Sequence, residues 1–193
     1  MTLTKPRLSF AALAIAAVLS LGACATTGTP ATQSYASTAL LSADAKQALD
    51  ARVAAFDRNM NRGNMQVIFD YLPPKMLQEM RQLAEREDVN PEVLQIIMGS
   101  MLQGIARELK MTGRHDMSQA LVGTTGSGTP YVLVPGAARV TAGAETMTTQ
   151  GVSLALLDGG QWYLLGLSDQ EVLTNLRRTY PEFRGVALPV KQK

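Results

Sequence analysis

The sequence predicts an α+β domain in which N-terminal helices pack on a curved four-stranded antiparallel sheet, followed by a C-terminal helix. Three observations carry that expectation. Between Ala43 and Lys110 apolar residues recur at helical spacing. After Gly113 the texture changes to short apolar runs broken by glycine and proline, which reads as strands and turns. The connections between those runs are short, which implies an antiparallel meander. Helices first and strands second is the order of an α+β chain.

The first helix is expected from Ala43 to about Arg62, with Ser42 as its N-cap. Ala45, Leu49, Val53, Phe56 and Met60 recur at spacings of four, four, three and four, which makes one apolar face. Gly63 suits the position after the helix. Asn64 caps a short second helix, Met65 to Tyr71, which Pro73-Pro74 end. Pro74 opens a third helix to about Arg86, with Met76, Leu77, Met80 and Leu83 inward. Asn90-Pro91 repeats the pattern of a cap followed by proline and opens a fourth helix to about Lys110.

Four strands follow: His115–Val122, Tyr131–Val134 with an extension towards Val140, Glu145–Leu157 and Trp162–Leu167. Gly126-Ser127-Gly128, Pro135-Gly136 and Ala142-Gly143 mark breaks or bends. Asp158-Gly159-Gly160 reads as a hairpin turn, because glycine accepts the positive φ that tight hairpins need. Ser168-Asp169-Gln170-Glu171 has the pattern of a capping box and opens a last helix that ends at Tyr180-Pro181.

The N-terminus has a different texture. Lys5 and Arg7 precede an uncharged apolar run, Leu8 to Leu21. Its 14 residues would rise about 21 Å as a helix, against a hydrocarbon core of about 30 Å. That is short for a span and suits an export signal. Gly22 and Ala23 are small, and Cys24, the only cysteine, follows directly. Residues 25–41, rich in Ala, Thr, Ser and Gly and uncharged, read as a flexible tether.

Leu21-Gly22-Ala23-Cys24 at the end of such a signal resembles the lipobox of bacterial lipoproteins. The resemblance implies that Cys24 is the lipidation site, that residues 1–23 are removed, and that the new amino group is acylated. It divides the chain into a signal peptide (1–23), a tether (24–42) and one α+β domain (43–193). Ala25, in place of an aspartate, implies the outer membrane on its periplasmic side. Two or three acyl chains hold a protein far more firmly than one, at about 0.8 kcal/mol per buried CH₂. The alternative is an ordinary secretory signal cut after Ala23 or Ala25, leaving a soluble protein.

With Lys5 and Arg7 removed, the 18 basic and 16 acidic residues of the whole chain become 16 and 16. A neutral domain without a basic run offers nucleic acid no electrostatic footprint. With Cys24 lipidated no thiol remains, so disulfides and cysteine chemistry are excluded. The layout after Ser42 resembles the NTF2-like (cystatin-like) superfamily. The segments that carry it are FDRNMNRGNMQVIFDYLPPKML and SLALLDGGQWYLLGL. The resemblance implies a helical layer packed into a bent sheet around a cone-shaped pocket.

Candidate chemistry is sparse. His115, the only histidine, stands beside Asp116 and could act as a general base oriented by a carboxylate. Some enzymes of the NTF2-like superfamily use an acid and a tyrosine in the cone, and Asp70-Tyr71 are candidates of that kind. One histidine and no free cysteine give no zinc triad, and no phosphate-binding glycine loop is present. No catalytic residue, cofactor or metal is therefore assigned. Eight of the ten methionines lie between Met60 and Met117, and such residues fill cores or line adaptable apolar surfaces. The preferred expectation is a non-enzymatic envelope lipoprotein that binds a protein partner or an apolar ligand. The alternatives are a small enzyme using the pocket, with His115–Asp116 or Asp70–Tyr71, and a structural or assembly-assisting lipoprotein using the Met-rich helical face.

Overall fold

The structure, a computed structural model, describes residues 35–190. Cys24, the expected signal peptide and the tether up to residue 34 lie outside the described residues.

The helices begin where their caps are. Helix α1 spans Ala43–Asn61, and Ser42 Oγ accepts from Ala45 N at 3.2 Å. Gly63 follows with φ +78°. The short helix α2, Val67–Tyr71, starts two residues later than expected. Asn64 bonds Asn59 rather than capping it, and residues 64–69 enter the helix through tight turns such as Val67 N to Asn64 O at 3.3 Å. Helix α3 is Pro74–Arg86 and helix α4 is Pro91–Glu108. The Asn90 carboxamide oxygen accepts from Glu92 N at 2.8 Å, as the Asn-Pro pattern requires.

The sheet has six strands, not four. They are β1 (Ala36–Ser37), β2 (Leu109–His115), β3 (Leu121–Thr124), β4 (Pro130–Ala142), β5 (Glu145–Asp158) and β6 (Gln161–Gly166). All pairings are antiparallel. Two causes raise the number. The expected strand His115–Val122 is interrupted by a 3₁₀ turn, Met117–Gln119, and only its His115 joins β2. The rest of β2 begins at Leu109, where the fourth helix was expected to continue to Lys110, so β2 and β3 lie in succession along one edge of β4. Asp116 produces the interruption: its carboxylate accepts from Ser118 N at 3.0 Å and from Gln119 Nε2 at 2.9 Å. Then β1 adds the pairs Ala36↔Val122 and Ser37↔Leu121. Residues 36–40 thus carry a strand and a 3₁₀ turn within the stretch that composition assigns to the tether.

Pro135-Gly136 lies within β4, and the extension of that strand past Val134 forms. Pro135 has no N–H to donate, yet its carbonyl accepts from Asp116 N at 2.7 Å. It thus sits where the ladder is already interrupted. The Gly159-Gly160 hairpin forms as expected, with φ +57° and +81° between Asp158 and Gln161. Helix α5, Gln170–Thr179, is capped by Asp169 rather than Ser168: its carboxylate accepts from Glu171 N at 3.0 Å and Val172 N at 3.1 Å.

Alternation along the strands gives the sheet two apolar faces, both covered. On one, Val132, Val134, Ala155, Trp162 and Leu164 pack against Leu49 and Val53 of α1 and Val67 and Tyr71 of α2. Trp162 Nε1 donates to Ala45 O at 3.0 Å, which satisfies the indole. On the other, Tyr131, Leu133, Leu154, Leu156 and Leu165 pack against Leu173 and Leu176 of α5 and the following Tyr180 and Phe183. Gly123 is opposite Tyr131. A Cβ there would run into the phenol ring, so the ring position depends on glycine.

Helix α3 borders this sandwich, with Met76 against the α5-side cluster and Glu79 paired with Arg178, while Leu83, expected inward, is exposed. Gly99 is the buried residue of α4, while Val93, Ile96, Ile97 and Met101 are exposed. Among the described residues no helix is long and apolar enough to cross a membrane.

Candidate functional site

Where α1 passes over the end of the sheet core, the sheet runs out of side chains. The strand positions that continue the α1-facing rows beyond Val134, Ser153 and Leu164 are Gly136, Gly151 and Gly166. Gly136 pairs with Gly151, and Ser153 pairs with both Val134 and Gly166. A Cβ at Gly151 or Gly166 would meet no atom within 4 Å. The outcome is a cleft of about 330 Å³ roofed by Phe56, Asp57 and Met60 of α1 and walled by Met111, Gly113 and His115 of β2. Ser153 lies at its floor and Leu167 and Ser168 at its end.

One polar row crosses this apolar cleft. The Asp57 carboxylate accepts twice from one residue: His115 N at 2.9 Å and His115 Nδ1 at 2.7 Å. On the other side of the ring, Nε2 lies 2.8 Å from Ser153 Oγ. A carboxylate only accepts, so Nδ1 carries a proton; in the neutral imidazole Nε2 then accepts from the serine hydroxyl. The side chains of His115 and Asp57 are 11 % and 16 % exposed, so the row is sheltered but in reach of the cleft. The Phe56 ring stands edge-on to the imidazole at 5.8 Å between centroids. Gly136 completes the ring's seat: a Cβ there would lie 3.3 Å from His115 Cδ2.

The helix holds β2 by side chains alone. Asn61, one turn after Asp57, accepts from Gly113 N at 2.7 Å and donates to Gly113 O at 2.9 Å. Asp57 and Asn61 therefore supply the hydrogen bonds that another strand would give to β2, at alternate residues 113 and 115.

His115 is thus in the cleft, but neither expected pair forms there. Asp116 is spent on its own turn, and the Ser118 hydroxyl beside it holds its carboxyl below the usual range. Asp70 is exposed, and its backbone carbonyl receives Arg52 Nη2 at 2.5 Å. Tyr71 is buried against α1 and the sheet, with the Arg52 guanidinium 3.7 Å above its ring. Neither lines the cleft. The residues that do join His115, Asp57 and Ser153, are absent from the sequence expectations. One signal for Asp57 was available: it lies on the apolar face of α1, between Phe56 and Met60. Trp162 and Tyr131 are core residues, while Met60 and Met111 line the cleft.

Among the described residues no group of three or more His, Asp and Glu could hold a metal ion. The exposed apolar stripe on α4 means that the surface over α3 and α4 is not an unbroken polar one.

Fold and site together define an α+β domain with helices on both faces of an antiparallel sheet and a Ser–His–Asp row in an apolar cleft. Comparison with family models, with curated proteins and with solved structures finds no match to this chain.

Proposed function

We propose that this chain is a lipid-anchored envelope lipoprotein, held by Cys24 in the outer membrane and facing the periplasm, whose domain binds an apolar ligand in the cleft under α1. The domain is a variant of the NTF2-like plan, with the cleft in the place of the cone. The observation that carries the binding reading is the cleft itself. Phe56, Met60 and Met111 give it apolar walls over a glycine floor, the Asp57–His115–Ser153 row crosses it, and Thr112, Arg114, Thr149, Gln150 and Ser168 also line it. Its volume of about 330 Å³ is at the lower end of the ~300–1,000 Å³ range of small-molecule sites, which suits a single chain or ring system rather than a whole diacyl lipid. The anchor reading is supported by the sequence of residues 5–24.

Two measurements test the two parts. The mature protein from membranes should carry a lipid-sized mass increment on the Cys24 peptide, and Cys24→Ser should remove it. An unmodified mature protein would sink the anchor reading. For the cleft, a medium-chain diazirine fatty acid is photolysed with membranes containing the full protein. Adducts should map to the peptides bearing Met60 and Met111. They should be lost in Gly151→Leu, which fills the floor at a position where a side chain meets nothing. Adducts spread evenly over the surface, or unchanged in Gly151→Leu, would remove the binding reading.

A further inference from the structure

We propose that Ser153, His115 and Asp57 form a nucleophile, general base and orienting carboxylate that cleave a carboxylic ester with an apolar acyl group held in the cleft. The proposal rests on the binding reading for substrate placement and goes beyond it in chemistry.

The geometry meets the requirements of an activated serine. The nucleophile and base are 2.8 Å apart, and the base and its orienter 2.7 Å apart. Both lie within the hydrogen-bond reach that proton transfer needs. The second Asp57 contact, to His115 N, fixes the carboxylate against the backbone as well as the ring. In its neutral form the imidazole is therefore held in the tautomer whose Nε2 accepts from Ser153 Oγ. Gly151 lies two residues before Ser153 on the same face, and Gly166 lies opposite it. A Cβ at either would meet nothing within 4 Å. A carbonyl carbon can thus approach Oγ from the cleft without displacing a side chain.

The structural alternative is a buried polar bridge that fastens β2 to α1 and β5. That role explains Asp57, whose bonds replace a missing strand. It would also use Ser153 as the tie to β5, but it does not account for the open floor beside that hydroxyl at Gly151 and Gly166. A bridge serving stability alone would be better packed, with side chains in place of the open floor at Gly151 and Gly166.

The step balances without a cofactor. Ser153 Oγ bonds to the ester carbonyl carbon as its proton passes to His115 Nε2. The C–O bond to the alcohol then breaks, and the alcohol leaves with the proton from Nε2. Water adds to the acyl-serine, giving its proton to Nε2. The acyl-oxygen bond to Ser153 breaks, and Oγ recovers the proton. The products are the acid and the alcohol. The three residues do not include a donor for the developing oxyanion, a group worth about 10²–10³ in rate. Esters with good leaving groups are therefore where the reaction should be read.

The test uses the full protein in membranes or detergent, with a fluorophosphonate bearing a short alkyl chain and with p-nitrophenyl butyrate. The phosphonyl group should be found on the Ser153 peptide. Ser153→Ala should abolish both labelling and turnover. His115→Gln should slow both by at least about 10²-fold, the scale of general-base catalysis. Asp57 is a positioning residue, so Asp57→Asn should lower kcat more than KM and alter the pH profile. Ser153→Cys gives an independent reading: its thiol should be alkylated by iodoacetamide faster than a free thiol at neutral pH, and His115→Gln should cancel the gain. If diazirine adducts map to the cleft while Ser153 stays unlabelled and the Ser153→Cys thiol reacts as an ordinary one, the proposal fails and binding stands. If labelling occurs at Ser153 without cleft adducts, the nucleophile stands and the apolar-ligand reading fails.

Discussion

At the scale of single residues the fold shows how much a polar group can cost or give according to its partners. Tyr180 is buried beneath the sheet and donates to Asp158 Oδ2 at 2.8 Å. Burial first, then this carboxylate, pushes its phenol well above the usual value of about 10. The folded state therefore keeps a proton that the unfolded chain releases above pH about 10. Stability should fall as the pH rises past that value, because the unfolded state then binds fewer protons than the native one. Tyr180→Phe should flatten the slope, at a cost near neutral pH of about 1 kcal/mol for the lost hydrogen bond. Urea midpoints measured at several pH values on either side of pH 10 check both; an equal slope in the two proteins would refute the assignment.

At the scale of elements, the strand β2 is the one that depends on side chains from a helix. Asn61→Ala removes both bonds to Gly113 and leaves a backbone N–H and C=O without them. The expected loss is about 1–3 kcal/mol, with faster amide exchange at Gly113 and little change at β5. Uniform acceleration across the sheet would count against local anchoring. This dependence also explains what the sequence could and could not convey. Helices α1 and α4 were legible because each carries its own local signals, Ser42 with the apolar spacing of α1 and Asn90-Pro91 at the start of α4, whereas the start of α2 was misplaced because Asn64 bonds Asn59 instead of capping it. The Gly159-Gly160 hairpin was legible for the same reason. Strand β2 was not: its inward positions include Gly113 and His115, so no apolar alternation marks it, and its partners β4 and α1 are distant in sequence. The polar row was equally hidden. His115 meets Asp57 across 58 residues and Ser153 across 38. Adjacency in sequence pointed to Asp116, which local hydrogen bonding had already committed to a turn.

At the scale of the whole molecule, the sheet separates two distinct apolar clusters, one on each face. Leu49 on the α1 side and Leu176 on the α5 side are both fully buried. Each should lose about 2–5 kcal/mol when cut to alanine. Layers on opposite faces of a sheet lie about 10 Å from it or more apart from each other, so the two losses should add to within about 0.5 kcal/mol. A coupling well above that in a double-mutant cycle would show that the two faces repack together. The arrangement of Asp57 and Asn61 has a further consequence for how copies of this chain behave when they are crowded together. The side of β2 facing α1 offers no bare row of amides to a neighbour, because carboxylate and carboxamide already occupy residues 113 and 115. Docking of a stray strand, the first step towards polymer, is therefore blocked by the same carboxylate that orients His115. A chain that gave up Asp57 to retune its chemistry would also lose part of its protection against self-association.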